Sequence, residues 1–230
     1  MNRNLWNESY SEKMPPLWPC PACGREAMQA IAGSLNVMTP SGYAISDLSP
    51  PDCVNRFAQL FRCTVGECGD VVGVVGEAYL KADPHSNEYI YMLFPRGIHR
   101  GPPIIAIPSE TPESIKTELQ SSFDLYWVDL GSCANKMRIS VERALDELGI
   151  AKSRRLNDRI GIFEKSDPDH GQTFHALREV GNVGSHTGEN TRETILDAYE
   201  LYEDALRNLF GGHRSRIEAL RDKIRASKGR

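Results

Sequence analysis

Two rhythms of apolar and polar positions divide the chain near Pro108. Upstream, short apolar runs rich in Val, Ile, Tyr and Phe occupy residues 27–37, 71–80 and 89–94, each bounded by turn formers. That pattern predicts several short strands. Downstream the spacing is helical. Leu119, Phe123, Tyr126, Leu130, Met137, Val141, Leu145 and Leu148 recur at steps of three and four or their sum. This predicts one long helix over residues 113–148 with a single apolar stripe, bendable at Gly131 and stopped at Gly149. Ser109, Glu110, Thr111 and Glu113 supply the acceptors and early acids of its start. Residues 153–163 and 173–180 predict two short helices. Residues 191–210 repeat the amphipathic pattern through Ile195, Leu196, Tyr199, Tyr202, Leu206 and Leu209, until Gly211 and Gly212 interrupt it before a charged tail. Four or five helices with short connections predict an antiparallel bundle. The expected fold is therefore α+β: a β-rich module over residues 1–106, then a helical bundle over residues 107–230.

Composition narrows the function classes. A chain of 230 residues that is 40% hydrophobic and 25% charged can bury a core and is not a disordered tail. A net charge of −4 argues against a uniformly cationic nucleic-acid coat. The first 106 positions carry 8 basic and 10 acidic groups and the rest 19 and 21, so neither half is extreme. The opening residues are polar and broken by Pro15 and Pro16, without the basic start and apolar stretch of a signal peptide. The longest apolar runs fall far short of the roughly 20 residues that cross a bilayer. The expectation is a cytoplasmic protein with no membrane partner.

Among six cysteines, four form two knuckles: Cys20-Pro-Ala-Cys23-Gly and Cys63-Thr-Val-Gly-Glu-Cys68-Gly. A Cys-x-x-Cys hairpin aims two thiolates at one ion, and the following glycine relieves the tight turn. In a reducing compartment such pairs point to a metal before disulfides. Four thiolates satisfy tetrahedral zinc and leave no position open for substrate, which makes the expected Zn2+ structural: a zinc ribbon. The second knuckle departs from the usual spacing, with four residues between its cysteines. Cys53, in an expected loop, and Cys133, on the long helix, read as packing residues.

The stretch from Phe174 to His186 carries the other candidate chemistry. If helical, it sets His175, Arg178, Asn182 and His186 on one face. A cation, an amide and an imidazole side by side can hold a phosphate and move a proton. The same residues also fit plain architecture: Gly181 for close helix packing, Asn182 as a cap, His186 bonded to a carbonyl. Asp167, Asp169, His170, Gln172 and His175 could be imagined as a second metal site, but residues 167–171, Asp-Pro-Asp-His-Gly, read more simply as a turn between helices, and Arg154 and Arg155 as a solvated helix start. The tail places Arg214, Arg216, Arg221, Lys223 and Arg225 against Glu218 and Asp222. Such a segment can track a phosphate backbone, although it has no aromatic residues for stacking on bases, and it equally reads as the ordinary solvated end of a helix.

Ile107-Pro-Ser, Arg143-Ala-Leu-Asp146, Leu156-Asn-Asp-Arg-Ile160 and Leu177-Arg-Glu-Val-Gly-Asn-Val-Gly-Ser-His186, followed by a final helix, together resemble the bacterial family called domain of unknown function 4145. That family is similar to the HEPN superfamily (higher eukaryotes and prokaryotes nucleotide-binding) of helical bundles. Some members carry a zinc ribbon in front, and many stand beside phage-defence modules. The resemblance implies a homodimer, RNA or DNA as a partner, and a defence-system protein as another. Active HEPN ribonucleases place an arginine and a polar residue a few positions before a histidine. Here Asn182 and His186 fit, but Gly181 occupies the arginine position, and Arg178 stands one turn earlier. The expectation is a non-catalytic binding or assembly module; the alternative is a metal-independent ribonuclease using Arg178, Asn182 and His186.

Overall fold

A computed structural model describes residues 1–25, 28–40, 54–83, 86, 88–186 and 189–227. It divides into two compact units. One comprises residues 2–104 with 123–129; the other comprises Met1 with residues 105–122 and 130–230.

The first unit is an antiparallel sheet of β1 (Tyr10–Ser11), β2 (Met28–Ala30), β3 (Asn36–Met38), β4 (Asn55–Cys63), β5 (Val71–Ala82) and β6 (Tyr89–His99). Strand order is β1-β6-β5-β4-β2, and β3 shares the β4 edge with β2. The two take successive halves of that edge: Met28 pairs with Cys63, and Val37 with Phe57. Strict alternation along β4 buries Phe57, Gln59, Phe61 and Cys63. Its inward residues meet an aromatic core built on Trp6, Tyr10 and Trp18. The Trp18 and Phe61 rings lie 5.1 Å apart, and Gln59, buried among them, accepts a hydrogen bond of 2.8 Å from the Tyr10 hydroxyl.

The second unit contains α1 (Glu113–Leu125), α2 (Leu130–Glu147), α3 (Leu156–Glu164), α4 (Pro168–His186), α5 (Arg192–Leu209) and α6 (His213–Ala226). Thr191 caps α5 by accepting from the Thr194 amide at 3.2 Å. Gly149 takes φ +73°, the left-handed stop its position predicts. Arg159, buried on α3, donates to the carbonyls of Ile150 and Ala151 beyond the end of α2 and to Asp146 at 2.7 Å. It thereby satisfies carbonyls of the loop that follows α2. Two buried hydroxyls of α5 are bonded as well: Tyr199 lies 2.7 Å from Ser122 and 3.2 Å from the Cys133 sulfur, and Tyr202 lies 2.9 Å from Ser140.

The structure corrects three expectations. Residues 113–148 form two helices, and the break falls at residues 126–129 rather than at Gly131. Tyr126 and Trp127 leave the helix to join the aromatic core of the β unit, where Trp127 packs 5.6 Å from Trp18 and the Tyr126 hydroxyl donates to the Trp6 carbonyl. The expected run over residues 27–37 is two strands. The stretch 167–171 is not a loop: helix α4 starts at Pro168, and Asp167 accepts from the His170 ring at 2.8 Å. The charged tail forms a helix of its own, α6, in keeping with its reading as a solvated helix end.

Candidate functional site

The two knuckles converge because their stems share the sheet. Cys63 ends β4, and Met28, just after the first knuckle, pairs with it. Each knuckle is closed by its own backbone. The Cys20 amide donates to the Arg25 carbonyl and the Gly24 amide to the Cys20 carbonyl, both at 2.8 Å. In the second knuckle Cys68 and Gly69 donate to Val65. Gly24 and Gly69 have φ +71° and +60°, the left-handed conformation a side chain would strain.

The result is a four-sulfur cluster. Cys20 and Cys68 lie 3.7 Å apart, as do Cys23 and Cys63, and all four sulfurs fall within 4.8 Å of one another. A tetrahedral ion with sulfur ligands at about 2.3 Å has edges of about 3.8 Å, so the cage fits such an ion. Burial pushes the Cys20 thiol up to about 12 and raises Cys63, whereas the Arg25 backbone amide lowers Cys23. A cation that stabilises thiolates supplies what the two buried thiols, Cys20 and Cys63, lack. Among the described residues these four are the group of His, Cys, Asp and Glu side chains able to hold a metal. The longer second loop is no obstacle: Cys68 reaches the site from inside the β4–β5 turn. Cys133 is buried on α2, and Cys53 lies outside the described residues.

The second candidate, on α4, is one uninterrupted helix. Arg178, Asn182 and His186 therefore follow one another at steps of four along one face. The Arg178 side chain is largely covered; its Nε is buried without a partner among the described residues, and its Nη2 lies 3.4 Å from Glu179. Asn182 is half-buried, and the side chain of His186 lies outside the described residues. His175 stands 3.5 Å from Glu164.

The glycines of this segment are explained by packing. A Cβ on Gly181 would come 2.5 Å from the Arg138 Cβ and 3.1 Å from the Ala134 carbonyl oxygen of α2. One on Gly184 would meet the Gly131 carbonyl oxygen at 2.6 Å. Helices α2 and α4 run antiparallel in close contact, and only hydrogen fits at these two places. The Gly184 approach falls on the backbone of Gly131, which lies within α2 and does not end it. Of the tail cations, Arg214 pairs with Asp167 at 3.3 Å and Arg216, Arg221, Lys223 and Arg225 are exposed along α6. No described helix is long and apolar enough to cross a membrane.

Residues 120–227 match a family model described as a domain of unknown function, DUF4145. The matched stretch takes in α2 through α6, including the Gly181–His186 segment, and excludes both knuckles. No curated protein and no solved structure matches the chain.

Proposed function

Starting from a helical unit similar to the DUF4145 family, we propose that the chain is a zinc-containing, HEPN-like binding and assembly module that does not itself cleave nucleic acid. A cytoplasmic setting in prokaryotic phage defence or nucleic-acid processing, with a homodimer, a defence-system protein or RNA or DNA as partner, is taken from that similarity alone. Gly181 carries the non-catalytic reading. A cleaving relative grips phosphate with an arginine at this position, yet here a Cβ already collides with Arg138. A preorganised cation missing from a phosphate-transfer site costs about 3 kcal/mol of transition-state stabilisation. The metal is structural zinc, because four thiolates close its shell and leave no position for substrate or water.

One observation favours the alternative ribonuclease. Positions 178, 182 and 186 follow one another at steps of four along the unbroken α4, and the Arg178 Nε has no acceptor among the described residues. Incubation with diverse RNAs separates the two readings. The module leaves them intact, whereas the ribonuclease yields 2′,3′-cyclic phosphate ends that disappear in His186→Ala. Elemental analysis of carefully purified protein tests the metal: one zinc per chain is expected, and iron or no metal rejects it.

A further inference from the structure

Helix α6 has no buried residue, and every position from Arg214 to Ala226 is exposed. A fourteen-residue helix without tertiary burial is marginal in water, since packing of an apolar face supplies most helical stability. Its pattern indicates what is missing. Ile217, Leu220 and Ile224, 40%, 44% and 61% exposed, fall on one stripe at a, d and a of a heptad. In that register the flanking e and g positions are Arg214, Arg216, Arg221 and Lys223, all cationic. Glu218 and Asp222 lie off the seam at b and f. The N-terminal turn is anchored by Arg214 on Asp167, and Ile217 lines an open cleft with Asn208 and Arg221 at the junction with α5.

We infer that α6 docks an amphipathic helix of a partner protein whose apolar seam is flanked by Asp or Glu. This inference rests on the reading of the chain as a binding module and names the chemistry of its partner. Flanking charges choose partners in paired helices: cations against cations repel, so two α6 helices do not pair with each other, and an acidic flank complements Arg216, Arg221 and Lys223, while Arg214 is already paired with Asp167. A phosphate backbone would engage the cations yet leave the Ile217–Leu220–Ile224 stripe in water, with no aromatic residue to stack on bases. An acidic helix satisfies both the stripe and its borders.

The test uses the full chain and two labelled synthetic helical peptides with Leu at a and d, one with Glu and the other with Lys at e and g. Fluorescence anisotropy at low salt is expected to show the Glu peptide binding about tenfold more tightly. Arg221→Glu/Lys223→Glu reverses the preference, and Leu220→Asp abolishes binding of both; circular dichroism checks that helicity is kept. Equal affinity for the two peptides, an unchanged preference in the double variant, or binding of an RNA oligonucleotide to α6 with neither peptide retained would overturn the proposal. RNA cleavage by the same protein defeats the non-catalytic reading and leaves this result standing. A protein inert towards RNA that ignores the Glu peptide does the reverse.

Discussion

The two units reach a fixed structure by different means. The β unit gathers its four cysteines at the end of an aromatic core, where Trp18 and Phe61 each stand two residues from a cysteine, so an ion can tie two distant loops to one sheet. The helical unit is held by close packing, with α4 laid on α2 through glycines and the α5 hydroxyls tied into the core. The comparison teaches that a glycine within a polar segment can be fixed by packing: Gly181 stands where contact with α2 leaves room only for hydrogen. It also provides a readout. All three tryptophans, Trp6, Trp18 and Trp127, belong to the β unit, whereas far-UV circular dichroism reports chiefly on the helices.

Metal removal is the largest perturbation. Chelation, or Cys63→Ser, should unfold the β unit, shifting tryptophan emission to the red while helical ellipticity largely persists, because metal affinity in such sites is folding free energy. Unaltered emission after verified metal loss would break the contrast. Next comes Arg159→Met. Removing a buried guanidinium leaves Asp146 and two carbonyls without their donor, at an expected cost of about 2 to 3 kcal/mol, moderated by the partial exposure of Asp146. Denaturation followed at 222 nm measures it, and a loss below about 0.5 kcal/mol speaks against the clamp.

Gly181→Ala sharpens the comparison from the other side. Forcing a methyl group against Arg138 should cost about 1 to 3 kcal/mol and lower the helical transition without moving tryptophan emission. A neutral or stabilising result would remove the packing explanation and reopen the position to chemistry. The smallest effect is Tyr199→Phe, which deletes one buried hydroxyl from its contacts with Ser122 and Cys133. About 1 kcal/mol is expected by thermal unfolding, and no change would mean that the pair is replaced without loss.

How much could be read in advance depended on how local each signal was. The α5 cap at Thr191, the Gly149 stop and the knuckle turns at Gly24 and Gly69 are short-range features, and each stands where its residues suggest. Strand β4 was missed for an identifiable reason. Gln59 occupies an inward position while Ala58 and Leu60 point outward, so the apolar alternation is blurred until Tyr10 is seen to satisfy the amide. The break after Leu125 was equally hidden: Tyr126 continues the helical stripe in sequence and serves another core in space.

The sequence by itself determined the α+β order, the identity of the cysteine knuckles and the amphipathic faces of the helices, since each rests on side-chain spacing within one segment. Tertiary structure alone decided that four sulfurs converge at 3.7 Å, that Gly181 and Gly184 are contact points rather than hinges, and that α6 keeps its apolar stripe exposed. These are distances between segments remote in the chain. They follow from which surfaces exclude water and each other, a property that no single stretch of residues carries.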